Sequence, residues 1–220
     1  MNKDAKRLTL FAGHYGSGKT NIAVNYAFKL AGEGRRVCIA DLDIVNPYFR
    51  TKDSEAELNS AGIQLISPQY ANTNVDLPAL PAESYRLVQD KSVYGIMDIG
   101  GDDRGAYALG RFVDAIKAEG DYRMAFVVNC YRPLTSTVED TIEIMREIEA
   151  ACKLRFTCIV NNSNLGAETT RETVLDSVDF VERLSKETGL EIWMYTAEKK
   201  VASELSDLPV MPMELQRKLF

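Results

Sequence analysis

The chain has 220 residues, a formal net charge of −6, one histidine and four cysteines. The negative balance argues against a broad nucleic-acid surface, although a local basic patch stays open. No apolar run approaches the roughly 20 residues that span a bilayer, and residues 1–7 (M-N-K-D-A-K-R) lead straight into the first apolar run without a leader-like segment.

The expectation is therefore a soluble, cytoplasmic protein with no membrane span. A chain this long buries about 70% of its unfolded surface, and no linker interrupts it, so one α/β domain over residues 1–220 is expected. Cys38, Cys130, Cys152 and Cys158 form no C-x-x-C pair. They are expected to be reduced, and Cys38, Cys130 and Cys158 lie in or beside apolar runs as small buried hydrophobes. Neither a structural zinc nor an iron–sulfur cluster within one subunit is expected.

Residues 8–12 (L-T-L-F-A) read as a buried strand. Residues 13–20 follow as G-H-Y-G-S-G-K-T, which fits the phosphate-binding pattern G-x-x-x-x-G-K-[ST]. Residues 21–30 then carry apolar side chains at helical spacing. Glycines let the backbone bend into a concave loop whose N–H groups face phosphate oxygens. The helix opening near Lys19 adds its positive dipole end. Lys19 is expected to reach the β- and γ-phosphates and the Thr20 hydroxyl to bind Mg²⁺. The expected nucleotide contacts are Gly13, His14, Tyr15, Gly16, Ser17, Gly18, Lys19, Thr20 and Asn21.

Gly32 and Gly34 mark the end of that helix. Residues 37–43 (V-C-I-A-D-L-D) form a second buried strand. Asp41 and Asp43 stand two apart and so share a face. Two carboxylates ending an apolar strand are costly unless a cation or water network receives them. Residues 46–93 are irregular and hold four of the seven prolines; a short strand is expected at 63–66 and a short helix at 81–89. Residues 94–99 (Y-G-I-M-D-I) form a strand in which Asp98 takes the form of a Walker B aspartate. Capping of neighbouring helices is the alternative for each aspartate. Two such sites beside a phosphate loop favour handling of a metal and its water.

A helix is expected over residues 105–118 and a strand over 124–128. S-T-V-E at 136–139 is a capping box for a helix running to about residue 152. A strand follows at 157–160. T-T-R-E at 169–172 is a second capping box, opening one helix that Gly189 ends. Residues 191–195 are the last expected strand, before a short helix reaching about residue 205. Strands separated by helices of this length give a mostly parallel sheet of about seven strands with right-handed crossovers. Such sheets bind ligands at the carboxyl ends of their strands.

G-H-Y-G-S-G-K-T, then D-L-D, then M-D-I-G-G together resemble the MinD/ParA-type P-loop ATPases, and the wider group with the cobyrinic acid synthases and dethiobiotin synthetase. The resemblance implies that Asp43 positions the attacking water and that Asp41 and Asp98 hold a hydrated Mg²⁺. It implies that Gly100 or Gly101 senses the γ-phosphate. It also implies that Asn161, with Asn162 beside it at the end of C-I-V-N-N-S, reads adenine through an amide, while Thr196-Ala197-Glu198 packs the base. Turn formation is the alternative for the two asparagines. N-N-S-N lacks the aspartate of guanine-specific relatives, which favours ATP over GTP.

One departure is plain. Many ATPases of this group carry a second lysine after the first loop glycine and reach with it across a dimer. Here that position is His14, and an imidazole is not a fixed cation. The synthetase branch lacks that lysine too.

The implied function is Mg-dependent ATP binding with slow hydrolysis to ADP, acting as a MinD/ParA-like nucleotide switch. The alternatives are an ATP-dependent synthetase acting on a small carboxylate and a binding module with negligible turnover. A homodimer is a possible assembly, and the loops after Asp43 and Gly101 are the places for a protein partner. Asn46-Pro47-Tyr48-Phe49-Arg50 falls where a switch loop would lie, with its aromatics facing a partner or packed on the body. Arg104 and Arg111 either reach an anionic substrate or phosphate, or are solvated surface, the default for each. The tail, residues 213–220, resembles the short amphipathic membrane helix of some MinD proteins, docking on the body being the alternative.

Overall fold

The computed structural model describes residues 5–42, 51–67, 82–100 and 109–215. Eight strands lie within them: β1 (Leu8–Ala12), β2 (Val37–Leu42), β3 (Gln64–Ile66), β4 (Tyr94–Ile99), β5 (Tyr122–Val128), β6 (Cys158–Asn161), β7 (Glu191–Glu198) and β8 (Val210–Met213). They form one sheet in the order β3-β2-β4-β1-β5-β6-β7-β8, and every pairing is parallel. The parallel architecture agrees with expectation; the strand beyond the expected seven is β8. It is short and contains Pro212, which has no N–H for a ladder, and it occupies an edge of the sheet, where proline is tolerated.

Helices cover both faces, which is why the strands are near-continuous apolar runs rather than alternating ones. Side chains of β1 still divide between the faces. Leu8, Leu10 and Ala12 join a cluster with Leu87 and Val88 of α3 (Arg86–Gln89), with Phe112, Val113 and Ile116 near α4 (Val113–Glu119), with Met145 and Ile148 of α5 (Val138–Cys152), and with Val181 and Leu184. Phe11 points the other way, into a cluster with Ile22, Tyr26 and Leu30 of α1 (Lys19–Gly32) and Leu58 of α2 (Glu55–Ser60). Phe11, Tyr26 and Trp193 pack there as a ring trio, and the Arg123 guanidinium lies 4.1 Å from the Trp193 ring centre.

Two capping assignments move by one residue. Thr137, not Ser136, caps α5 by accepting from the Asp140 N–H, because Ser136 is used by the preceding turn, donating to the Pro133 carbonyl. Thr170, not Thr169, caps α6 (Arg171–Asp176), because the Thr169 hydroxyl donates to the Gly166 carbonyl. The expected single helix is also two, α6 and α7 (Val178–Thr188), divided at Ser177. The buried Ser177 hydroxyl donates to the Val174 carbonyl at 2.6 Å and accepts from Asn161 Nδ2 at 2.8 Å, and such local bonds compete with helix continuation. Gly189 ends α7 with φ 73°, as expected.

β1 lies between β4 and β5, while the chain leaving β1 through α1 goes on to β2, beyond β4. Connections therefore part on either side of β1 at the carboxyl ends, the kind of crevice where open parallel sheets bind ligands.

Candidate nucleotide site

The loop of residues 13–18 fills that crevice. Gly13 is pressed on β5: a Cβ there would stand 2.3 Å from the Val127 carbonyl oxygen, a backbone atom that cannot swing aside. Gly16 and Gly18 have φ of 78° and 89°, left-handed values that suit glycine. Gly18 is the N-cap of α1 and caps nothing with a side chain, so the helix opens with its first turn directed at the loop. Lys19 is 4% exposed and Thr20 is buried beside it. His14 is partly buried, with Nδ1 3.1 Å from the Tyr15 carbonyl oxygen, and Tyr15 is 55% exposed.

The two described aspartates meet at the same edge. Asp41 and Asp98 are register partners on β2 and β4. Register partners on adjacent parallel strands face the same side, and these face that of Phe11 and α1. Asp98 is fully buried and Asp41 is 4% exposed. The Thr51 hydroxyl, buried at the start of the turn before α2, donates to Asp98 Oδ2 at 3.2 Å. The donor set fits Mg²⁺: a hydroxyl and two carboxylates suit a cation that is held through a few protein oxygens and keeps most of its waters. No cluster of three or more His, Cys, Asp or Glu occurs among the described residues, so a cage built only of protein ligands is absent there. Gly100 is buried just after β4. Asp43, Gly101, Arg104, residues 46–50 and residues 216–220 lie outside the described residues. Arg111 is exposed.

On the other flank, Asn162 reaches the loop. Its Nδ2 donates to the Ser17 carbonyl at 2.6 Å and its Oδ1 accepts from the Thr196 hydroxyl at 2.6 Å. The amide nitrogen also fills the space a Gly18 Cβ would need, only 2.2 Å away. Asn161 turns aside: Nδ2 donates to Ser177 and Oδ1 accepts from the Ser163 N–H at 3.0 Å. Asn164 likewise folds into its own turn, donating to the Asn162 carbonyl and accepting from the Gly166 N–H. Of the two asparagines singled out from sequence, Asn162 is the one that touches the phosphate loop.

Three residues here carried no assignment from sequence alone. Thr51 meets Asp98 only through the fold. Asn129, fully buried after β5, accepts from the Tyr131 and Asn164 N–H groups and donates to the Asn164 carbonyl. Arg132 donates from Nε to the Gly16 carbonyl at 3.2 Å. The available signal was position: each of the last two lies just beyond a strand that neighbours the loop.

The cysteines are structural in setting. Burial pushes the thiols of Cys38 and Cys158 up to about 12, and also raises those of Cys130 and Cys152. All four are free thiols, and Cys130 is the most exposed of them. No described helix is long and apolar enough to cross a membrane.

Comparison with known proteins agrees with the fold. No curated protein matches the chain in sequence. Among solved structures, the cell division protein FtsY of Thermotoga maritima is 17% identical with a TM-score of 0.60, over 88% of this chain and 62% of that one. FtsY of Mycoplasma mycoides is 16% identical with a TM-score of 0.59, over 91% and 63%. The signal recognition particle 54 kDa protein of Aeropyrum pernix, in complex with GDP, is 18% identical with a TM-score of 0.55, over 89% and 42%. The chain thus spans less than two thirds of the length of these structures, and the likeness is one of fold. The family model for the CobQ/CobB/MinD/ParA nucleotide-binding domain matches residues 8–174. With its phosphate loop seated between β1 and α1 and its acidic strand ends beside it, the chain belongs to the CobQ/CobB/MinD/ParA nucleotide-binding domain family.

Proposed function

We propose that this protein binds Mg·ATP in the loop of residues 13–20, hydrolyses it slowly, and works as a MinD/ParA-like switch whose contacts depend on the bound nucleotide. The observation that carries it is that Lys19 and Thr20 are buried where α1 opens after β1, while Asp41 and Asp98 are buried register partners on the same face of the sheet as α1. Lys19 would neutralise phosphate charge, and Thr20, Asp41 and Asp98 would hold the hydrated Mg²⁺. The metal would supply charge neutralisation of the phosphates. Asp43 would position water, and Gly100 and Gly101 would follow the γ-phosphate. The switch role is supported by the Thr51–Asp98 bond, which joins the site to the segment leading into α2. A change at Asp98 can thereby alter an adjoining loop. ATP is preferred to GTP because residues 161–166 (N-N-S-N-L-G) offer no carboxylate to pair with guanine.

A second role, ATP-dependent synthesis on a small carboxylate, is supported by His14, which leaves the loop with one lysine. Calorimetric titration of Mg·ATP and Mg·GTP, followed by phosphate release, tests the proposal. Lys19→Ala is expected to abolish tight binding. Asp43→Ala is expected to keep binding and slow turnover. Equal loss of binding in both variants refutes the assigned roles, and GTP bound as tightly as ATP refutes the base preference. Phosphate release that requires a small acid moves the assignment to the synthetase role.

A further inference from the structure

We infer that Arg132 is a second cation of the phosphate site, supplied from the loop after β5 and directed at the solvent side of the bound phosphate chain. The inference rests on the nucleotide-binding role proposed above. Arg132 leans on the apex of the phosphate loop: its Nε–H donates to the Gly16 carbonyl at 3.2 Å, and its Nε and Cδ lie 3.7 and 3.8 Å from where a Gly16 Cβ would stand. Only Nε is used in that bond. The remaining four N–H donors belong to an exposed side chain that pairs with no carboxylate among the described residues.

The backbone beneath it is held rather than loose. The Arg132 N–H donates to the Asn129 carbonyl at 3.1 Å, and the Arg132 carbonyl accepts from the Thr135 N–H at 3.0 Å. Pro133 follows with its ring-fixed φ. The Thr135 hydroxyl donates to the Asn129 carbonyl at 2.7 Å. A guanidinium fixed at such a rim can meet phosphate oxygens through two parallel bonds, a geometry that lysine lacks. The loop itself offers one fixed cation, Lys19, because position 14 is histidine. Arg132 answers that deficit from a neighbouring strand.

A loop-bracing role for Arg132 makes a different forecast, so two substitutions separate them. Arg132→Gln keeps an N–H donor for the Gly16 carbonyl and removes the charge; Arg132→Lys keeps the charge and loses the planar fork. Binding of Mg·AMP-PNP and Mg·GMP-PNP is measured by calorimetry against Mg·ADP and Mg·GDP, with thermal unfolding of each variant without nucleotide as the fold control. Arg132→Gln is expected to weaken triphosphate binding at least tenfold, and diphosphate binding less, with an unchanged unfolding midpoint. Arg132→Lys is expected to retain more affinity than Arg132→Gln. Triphosphate affinity unchanged in Arg132→Gln, or Lys weaker than Gln, overturns this assignment alone. Failure of the unmodified protein to bind any of the four nucleotides overturns it together with the nucleotide-binding role.

Discussion

Replacing Asn162 removes the side chain that ties β7 to the phosphate loop. Asn162→Ala leaves two buried groups to find partners. The Thr196 hydroxyl can turn to the Asn161 carbonyl, which is 3.5 Å away. The Ser17 carbonyl loses its 2.6 Å donor, and a buried acceptor left unmatched costs about 1–3 kcal/mol. At this chain length each kcal/mol lowers the thermal midpoint by roughly 2–4 °C. Asn162→Asp is expected to be worse near neutral pH. It still accepts from Thr196, but sets a carboxylate oxygen against the Ser17 carbonyl in place of a donor. Protonation converts that oxygen into a donor, so the folded state holds the new carboxyl above its ordinary range. Its folded pKa being raised, stability is present when the group is protonated and lost as pH rises. The Asp deficit should therefore shrink as pH falls from about 7 to about 4. Urea unfolding of both variants across that range is the assay, with nucleotide titration beside it. A loss under about 0.5 kcal/mol in the alanine variant, the size of an ordinary surface change, would refute the hydrogen bond's role. So would an aspartate variant as stable as the unmodified protein at neutral pH.

Gly13→Ala should destabilise the fold by about 1–3 kcal/mol, as overpacking does, and displace the phosphate loop from β5; unchanged unfolding and nucleotide affinity would show that the Val127 contact is not limiting. With a maleimide near pH 8, Cys130 should react before Cys38, Cys152 and Cys158, because reaction needs an accessible thiolate; peptide mapping after a short exposure checks the order. The thiols of Cys38 and Cys158 have folded pKa raised from 9.0 to about 12, so they support folding below pH 9 and withdraw that support as pH climbs toward 12. Urea midpoints measured over that alkaline range should fall less in Cys38→Ala than in the parent protein.

Much of the fold was legible because burial on two faces writes long apolar runs, and residues 8–12, 37–42 and 94–99 leave little else to be. The phosphate loop was legible because its glycines are demanded by backbone shape, visible here as two left-handed φ values and the tight contact at Gly13. The elements misjudged are those decided by distant partners. Ser177 divides a helix because Asn161, from another strand, comes to its hydroxyl. S-T and T-T pairs leave the capping residue undecided until the preceding turn takes one hydroxyl. Asn161 and Asn162 are identical in type and adjacent, and alternation along the chain turns only the second toward the loop. Thr51, Asn129 and Arg132 carry no motif; their places at the site come from strand order, which no local pattern encodes.

The two borders of the sheet have a consequence for assembly. β3 is three residues long and β8 is four, with a proline inside it. Short borders, one of them lacking a donor, are poor templates for continuing the ladder into another molecule. Among the described residues, self-association by joining sheets edge to edge is thereby discouraged at both borders. The rim over the strand ends is different: Tyr15 stands exposed within the phosphate loop, and exposed Arg132 lies against its Gly16. A second copy or a partner that settles on this rim would touch the very surface whose charge depends on what the loop holds. Association would then be gated by ligand rather than by concentration alone.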